Sequence, residues 1–142
     1  MIRNTMLFFS FLLISLSIFG QNARKAPAFA IGNFTDDYGL KYEVNDTVWI
    51  QSRNIKYNII KWVPEKQYLI AKNASTNKFD AGKYTRIDYM TFENMGDWKW
   101  GFCLTAYKAE TDEIAEKTAA ADREKPKKGC NGYPFSRMKR AE

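Results

Sequence analysis

Asp97-Trp98-Lys99-Trp100-Gly101-Phe102-Cys103-Leu104-Thr105-Ala106-Tyr107 is the stretch whose reading decides the fold. Large apolar residues alternate with small or polar ones along it, which is the two-residue period of a β-strand. Trp98, Trp100, Phe102 and Leu104 share one face, and Lys99, Gly101, Cys103 and Thr105 share the other. The aromatic face is expected to point into a core or lumen. The Cys103 face is then the outer one, and whatever follows the strand has to cover it.

Upstream of this strand the chain is a succession of similar segments. Phe29 to Phe34 and Leu40 to Val44 flank Thr35-Asp36-Asp37-Tyr38-Gly39, whose acids and glycine suit a reversal. Thr47 to Gln51 follows an Asn45-Asp46 turn. Ile55 to Val63 and Gln67 to Lys72, rich in Ile, Tyr, Trp and Leu, are joined by Pro64-Glu65-Lys66 as a second hairpin. After a polar loop from Asn73 to Lys83 come Tyr84 to Phe92 and then the strand at Asp97. Six or seven strands in sequential order predict a mainly β fold, an antiparallel meander closing toward a small barrel.

Downstream the period changes. Residues 111–122, Thr-Asp-Glu-Ile-Ala-Glu-Lys-Thr-Ala-Ala-Ala-Asp, favour a helix with Thr111 or Asp112 as cap, and Pro126 ends any continuation. So short a helix is marginal alone and must lie against the outside of the sheet. Cys103 precedes it and Cys130 follows it, so a disulfide between them encloses the helix and tethers the tail. A loop of that size is worth about 3 to 4 kcal/mol in the chain-entropy picture.

The disulfide reading rests on compartment. Residues 1–20 read as a signal peptide: Arg3 in a charged start, an apolar run from Met6 to Phe19, and Gly20 before a cut ahead of Gln21. The run is shorter than the roughly 20 residues that span a bilayer, so no transmembrane span is expected. No cysteine adjoins the cut, which argues against a lipid anchor. A periplasmic or secreted protein follows, with a flexible segment over 21–28 and a single domain over 29–140. In that oxidising setting two cysteines form a bridge rather than a metal site or a catalytic thiol.

Charge is unevenly distributed. Residues 21–122 carry 14 Lys/Arg and 14 Asp/Glu, whereas residues 123–142 carry seven and two. The basic tail, Arg123, Lys125, Lys127, Lys128, Arg137, Lys139 and Arg140, suits an anionic surface or an acidic protein contact, or simply a solvated end. Export argues against nucleic acid as a partner. There is no histidine, which removes the usual general base, the Ser-His and Cys-His pairs and the commonest zinc ligand. With no calcium-loop spacing and no glycine-rich phosphate motif, the chain is expected to use no cofactor or metal and not to be an enzyme.

The aromatic residues carry the functional expectation. A small barrel lined by them either fills its interior or leaves a pocket for an apolar or amphipathic small molecule. The candidate ligand-binding residues are Trp62, Tyr84, Arg86, Asp88, Trp98 and Trp100. Arg86 and Asp88 share one face of their strand, where they form either a structural pair or an anchor for a ligand carboxylate. The alternative function is a protein-interaction module, such as an inhibitor of a cell-wall-degrading enzyme, acting through the loops or through Asn131 to Arg137.

Tyr84-Thr85-Arg86-Ile87-Asp88, Trp100-Gly101-Phe102-Cys103-Leu104 and Gly129-Cys130-Asn131-Gly132-Tyr133-Pro134-Phe135-Ser136-Arg137-Met138 resemble segments of an uncharacterised family of small exported bacterial proteins. The likeness runs from about Gly32 to Arg140 and implies no activity. The architecture is also similar to the lipocalin group: Gly32-Asn33-Phe34 opening the first strand, a meander, a helix after the last strand and a disulfide to the tail. That similarity implies a hydrophobic ligand.

Overall fold

The computed structural model describes residues 25–142; the expected signal peptide over 1–20, its expected cut and residues 21–24 lie outside the described residues. Eight antiparallel strands in sequential order make a closed barrel. They are β1 (Gly32–Asp36), β2 (Lys41–Val44), β3 (Val48–Gln51), β4 (Ile55–Val63), β5 (Tyr68–Asn73), β6 (Tyr84–Thr91), β7 (Trp100–Ala109) and β8 (Ser136–Arg140). One helix, α1 (Asp112–Lys117), lies against the outside of β5, β6 and β7.

The eighth strand is the largest departure from the expected six or seven. The final part of the basic tail is β8, which pairs with β1 through Phe34 opposite Arg140 and with β7 through Trp100 opposite Met138. Closure therefore needs the end of the sequence. Met138 is fully buried between two outward-facing cations, so the period of two is present there, but only over a short and charged segment.

The first strand also begins later than expected. Ala28–Ala30 form a single 3₁₀ turn, and β1 starts at Gly32, whose φ of +131° is strained for any residue with a side chain. A Cβ there would also stand 2.1 Å from the Arg140 guanidinium. Of the 21–28 segment, Ala26 rests on the core and its N–H donates to Asp46 Oδ1 at 2.8 Å.

Helix α1 is shorter than the expected 111–122. Thr111 caps it, accepting from the Ile114 N–H at 3.2 Å, but the chain leaves the helix at Thr118. Beyond that point Ala121 is buried beside Cys103, and its N–H points toward Asp88 at 3.4 Å. These tertiary contacts override the helix propensity of residues 119–121.

Cys103 and Cys130 are joined, with Cα atoms 5.5 Å apart and a separation of 27 positions in sequence. As the alternation in β7 predicts, the helix and the following segment cover the Cys103 side. Two small apolar clusters lie under that cover. Val63, Tyr68, Ile70 and Ala115 form one, while Cys103, Ala121 and Phe135 form the other, with Met90 and Phe92 at its edge. Gly129 lets the chain turn back: a Cβ there would sit 1.9 Å from the Asp122 carbonyl oxygen. Asn131 and Gly132, both at positive φ, then make the tight turn from Cys130 to Tyr133.

Candidate functional site

Sheet parity sorts the six candidate ligand-binding residues into different places. Trp62 and Trp100 belong to the barrel interior, each about 1% exposed. Tyr84, Arg86 and Asp88 are on the outward side of β6, beneath α1 and the segment after it. Trp98 precedes β7, half-buried outside the barrel, with Arg137 and Lys139 each 5.3 Å from its ring centre. A single pocket holding all six does not form, because residues 84, 86 and 88 face away from Ile87 and Tyr89, which point inward.

The interior is a continuous run of aromatic rings in edge-to-face contact, with one tilted pair, Trp62 and Tyr89. Tyr42 and Phe102 meet Trp49, at 5.9 and 4.9 Å between centroids, and Trp49 meets Trp100 at 6.0 Å. Phe34 meets Trp100 at 5.1 Å. Phe29, from the 3₁₀ turn across one end of the barrel, touches both Trp100 and Tyr89, and Tyr89 in turn touches Trp62. This geometry suits ring quadrupoles and leaves the polar edges of the rings directed among their neighbours.

Those polar edges are unequally served. The Trp62 indole N–H donates to the Asp46 carbonyl at 3.0 Å, and the Tyr42 hydroxyl donates to Asp36 Oδ2 at 2.7 Å. Trp49 Nε1, Trp100 Nε1 and the Tyr89 hydroxyl are buried with no hydrogen-bond partner among the described residues. Burial pushes the Tyr89 hydroxyl up to about 12, so it remains a neutral donor at physiological pH. Three such groups in one small core are unusual, since buried donors are normally paired.

Outside the sheet the opposite holds. Asp88, fully buried, accepts from Arg86 Nε at 3.1 Å and Nη2 at 3.0 Å, and from Arg123 Nη2 at 3.2 Å. It also accepts from the Thr105 hydroxyl. Arg86 Nη1 donates to the Glu116 carbonyl at 2.6 Å, and its guanidinium stacks 4.1 Å from the Tyr68 ring. Arg123 reaches the carbonyls of Tyr89 and Gln67 at 2.9 and 2.6 Å. Glu116 takes Lys61 Nζ at 2.7 Å and the Tyr68 hydroxyl at 2.6 Å, and these two donors hold its carboxyl below the usual range. The whole group fastens α1 and the following segment to the barrel.

Arg86 thus has every nitrogen engaged within the protein, the paired arrangement rather than a ligand anchor. Thr105 enters the group because β7 bulges there: Arg86 faces Ala106 and Ile87 faces Leu104, which leaves Thr105 as the extra residue. Arg123, Glu116 and Thr105 were not among the expected site residues, nor were Trp49, Tyr89 and Phe29. The period-two pattern of Trp49 and Tyr89 was legible, but which of them lack partners is a tertiary fact.

A groove of about 400 Å³ lies on the outer face of β1 to β3, lined by Asn33, Lys41, Glu43, Ile50 and Arg53 with Ala141 and Glu142. Among the described residues no helix is long and apolar enough to cross a membrane. Compared with known proteins, the chain matches no family model, no curated protein and no solved structure.

Proposed function

We propose that this is an exported, non-enzymatic binding protein that takes a small apolar or amphipathic molecule into its aromatic barrel. One observation carries the reading: Trp49 Nε1, Trp100 Nε1 and the Tyr89 hydroxyl are buried donors without acceptors among the described residues, inside an otherwise apolar, ring-lined core. A planar guest bearing one or two acceptor oxygens satisfies them and keeps the edge-to-face contacts. The architectural resemblance to lipocalins points the same way.

Access is through the end crossed by the Ala28–Ala30 turn. Phe29 is half-buried there, belongs to no strand, and covers both Tyr89 and Trp100. A guest displaces this ring and takes its place. Within this reading Trp62 and Trp100 contact the guest, whereas Tyr84, Arg86 and Asp88 hold the wall.

The test is a titration with Nile red, a planar apolar probe that carries a carbonyl acceptor, followed by its emission. Saturable binding is expected, tighter in Phe29→Ala and about fivefold weaker in Trp100→Phe, the equivalent of one hydrogen bond near 1 kcal/mol. No saturable binding in either the native protein or Phe29→Ala contradicts the reading.

A second reading, the protein-interaction module, is favoured by Tyr133. Its side chain is 74% exposed at the tip of the disulfide-held turn, while Phe135 beside it is buried. An exposed tyrosine on a rigid turn is a suitable anchor for a protein partner.

A further inference from the structure

We infer that the outer face of β7, β8, β1 and β2 binds an acidic polysaccharide. Strand register aligns its cations. Thr35 on β1 stands opposite Lys139 on β8 and opposite Lys41 on β2. The β7–β8 ladder, extended by one position beyond Trp100 and Met138, puts Lys99 opposite Lys139, and the Lys99 N–H already donates to the Met138 carbonyl at 3.2 Å. Lys99, Lys139, Thr35 and Lys41 therefore form one outward row across four strands. At about 4.8 Å per strand that row is roughly 14 Å long.

None of these three lysines has an ion pair among the described residues. Like charges on facing positions of neighbouring strands destabilise a sheet, so the uncompensated row suits an anionic partner. The row is one residue wide, which fits a linear polyanion better than a flat surface. At one edge stands the half-exposed Trp98 ring, and Arg137 is fixed beside it by Asp37 at 2.9 Å. At the other edge Lys41 leads into the groove of about 400 Å³, where Arg53, Asn33, Glu43 and the Ile50 side chain also line the walls.

This mixture discriminates among polyanions. A sugar ring stacks on an indole and donates hydroxyls to the groove carboxylates Glu43 and Glu142, whereas a polyphosphate or an acidic peptide has no such hydroxyls to offset the repulsion there. An added peptide strand is disfavoured because the barrel is closed and offers no free edge. Single-stranded nucleic acid needs a succession of stacking rings, and this face has one.

The experiment is calorimetric titration of the protein with polygalacturonate, poly-glutamate and dextran in about 50 mM salt. Polygalacturonate is expected to bind, with affinity falling steeply as salt rises, and dextran is not. Lys41→Gln with Lys139→Gln should weaken binding at least tenfold at an unchanged or slightly raised melting temperature, since it also relieves the facing Lys99–Lys139 pair. Trp98→Leu should weaken polygalacturonate several-fold and leave any poly-glutamate binding alone. Equal binding of poly-glutamate and polygalacturonate, or polygalacturonate binding unaffected by the lysine pair, overturns the proposal. None of these arms involves the barrel interior, so its outcome and that of the small-ligand reading are independent.

Discussion

The two sides of strand β6 make opposite uses of polar groups. On the outer side Asp88 is fully buried and receives two arginines, a threonine hydroxyl and a backbone N–H. On the inner side, one residue later, the Tyr89 hydroxyl is buried with no acceptor. A satisfied buried charge locks the structure in one arrangement, while an unsatisfied neutral donor costs stability in the free protein and gains on binding. The contrast separates the part of the molecule that holds it together from the part with binding capacity left over.

The sharpest way to break that comparison is Asp88→Ala. Removing the acid leaves the Arg86 and Arg123 guanidinium groups without their anion in the protein wall, and the expected loss is about 3 to 5 kcal/mol in urea unfolding. A loss below about 1 kcal/mol would show that the network is not what fastens α1.

The disulfide comes next. Cys130→Ser is expected to cost about 3 to 4 kcal/mol, with reduction of the native protein producing a similar drop and reduction of the variant none. Its effect should be on stability alone, so probe binding at a temperature where both proteins are folded should match. A changed affinity under those conditions would place the tethered segment in the site.

Alkaline pH tests the interior. Burial raises Tyr57 and Tyr89 from 10.0 to about 12. A raised folded value means that their contribution to stability is complete below pH 10, where both states keep the proton, and is lost as pH rises from 10 to about 12, where only the unfolded chain ionises readily. Unfolding followed by tyrosinate absorbance should therefore begin above pH 10 and be cooperative. Gradual titration of all tyrosines from pH 10 without loss of the strand signal in circular dichroism would contradict the burial argument.

The smallest expected effect is the most discriminating. Tyr89→Phe removes only an unpaired hydroxyl, so the free protein should be unchanged or more stable by up to about 1 kcal/mol, while probe affinity falls. Set beside the large loss at Asp88, one position away, this pair of results would confirm the division between the two sides.

Much of this was legible from the order of residues. The alternation from Trp100 to Thr105 placed Trp100, Phe102 and Leu104 inside and Cys103 and Thr105 outside, and the cysteine positions put the helix within the loop that the bridge closes. Trp98 broke the pattern because a turn, with the Trp98 N–H donating to the Met95 carbonyl, delays the strand to Trp100. In Tyr84 to Phe92 the period showed which residues share a face but not which face is inner, since α1 and the chain after it bury the outer face as well. Strand β8 was hidden by its composition. Arg137, Lys139 and Arg140 read as a solvated tail, and only pairing with both β1 and β7 reveals a strand. The three unpaired donors have no signature in sequence, because a hydrogen bond is absent only once every neighbour is known.

Native mass spectrometry of the protein purified from its own host, without organic solvent, reads the occupancy of the barrel interior itself. One stoichiometric small-molecule adduct is expected, retained in Trp98→Ala and lost in the double variant Trp100→Phe, Tyr89→Phe. An apo mass throughout, or an adduct that survives the interior double variant and disappears with Trp98→Ala, would contradict it.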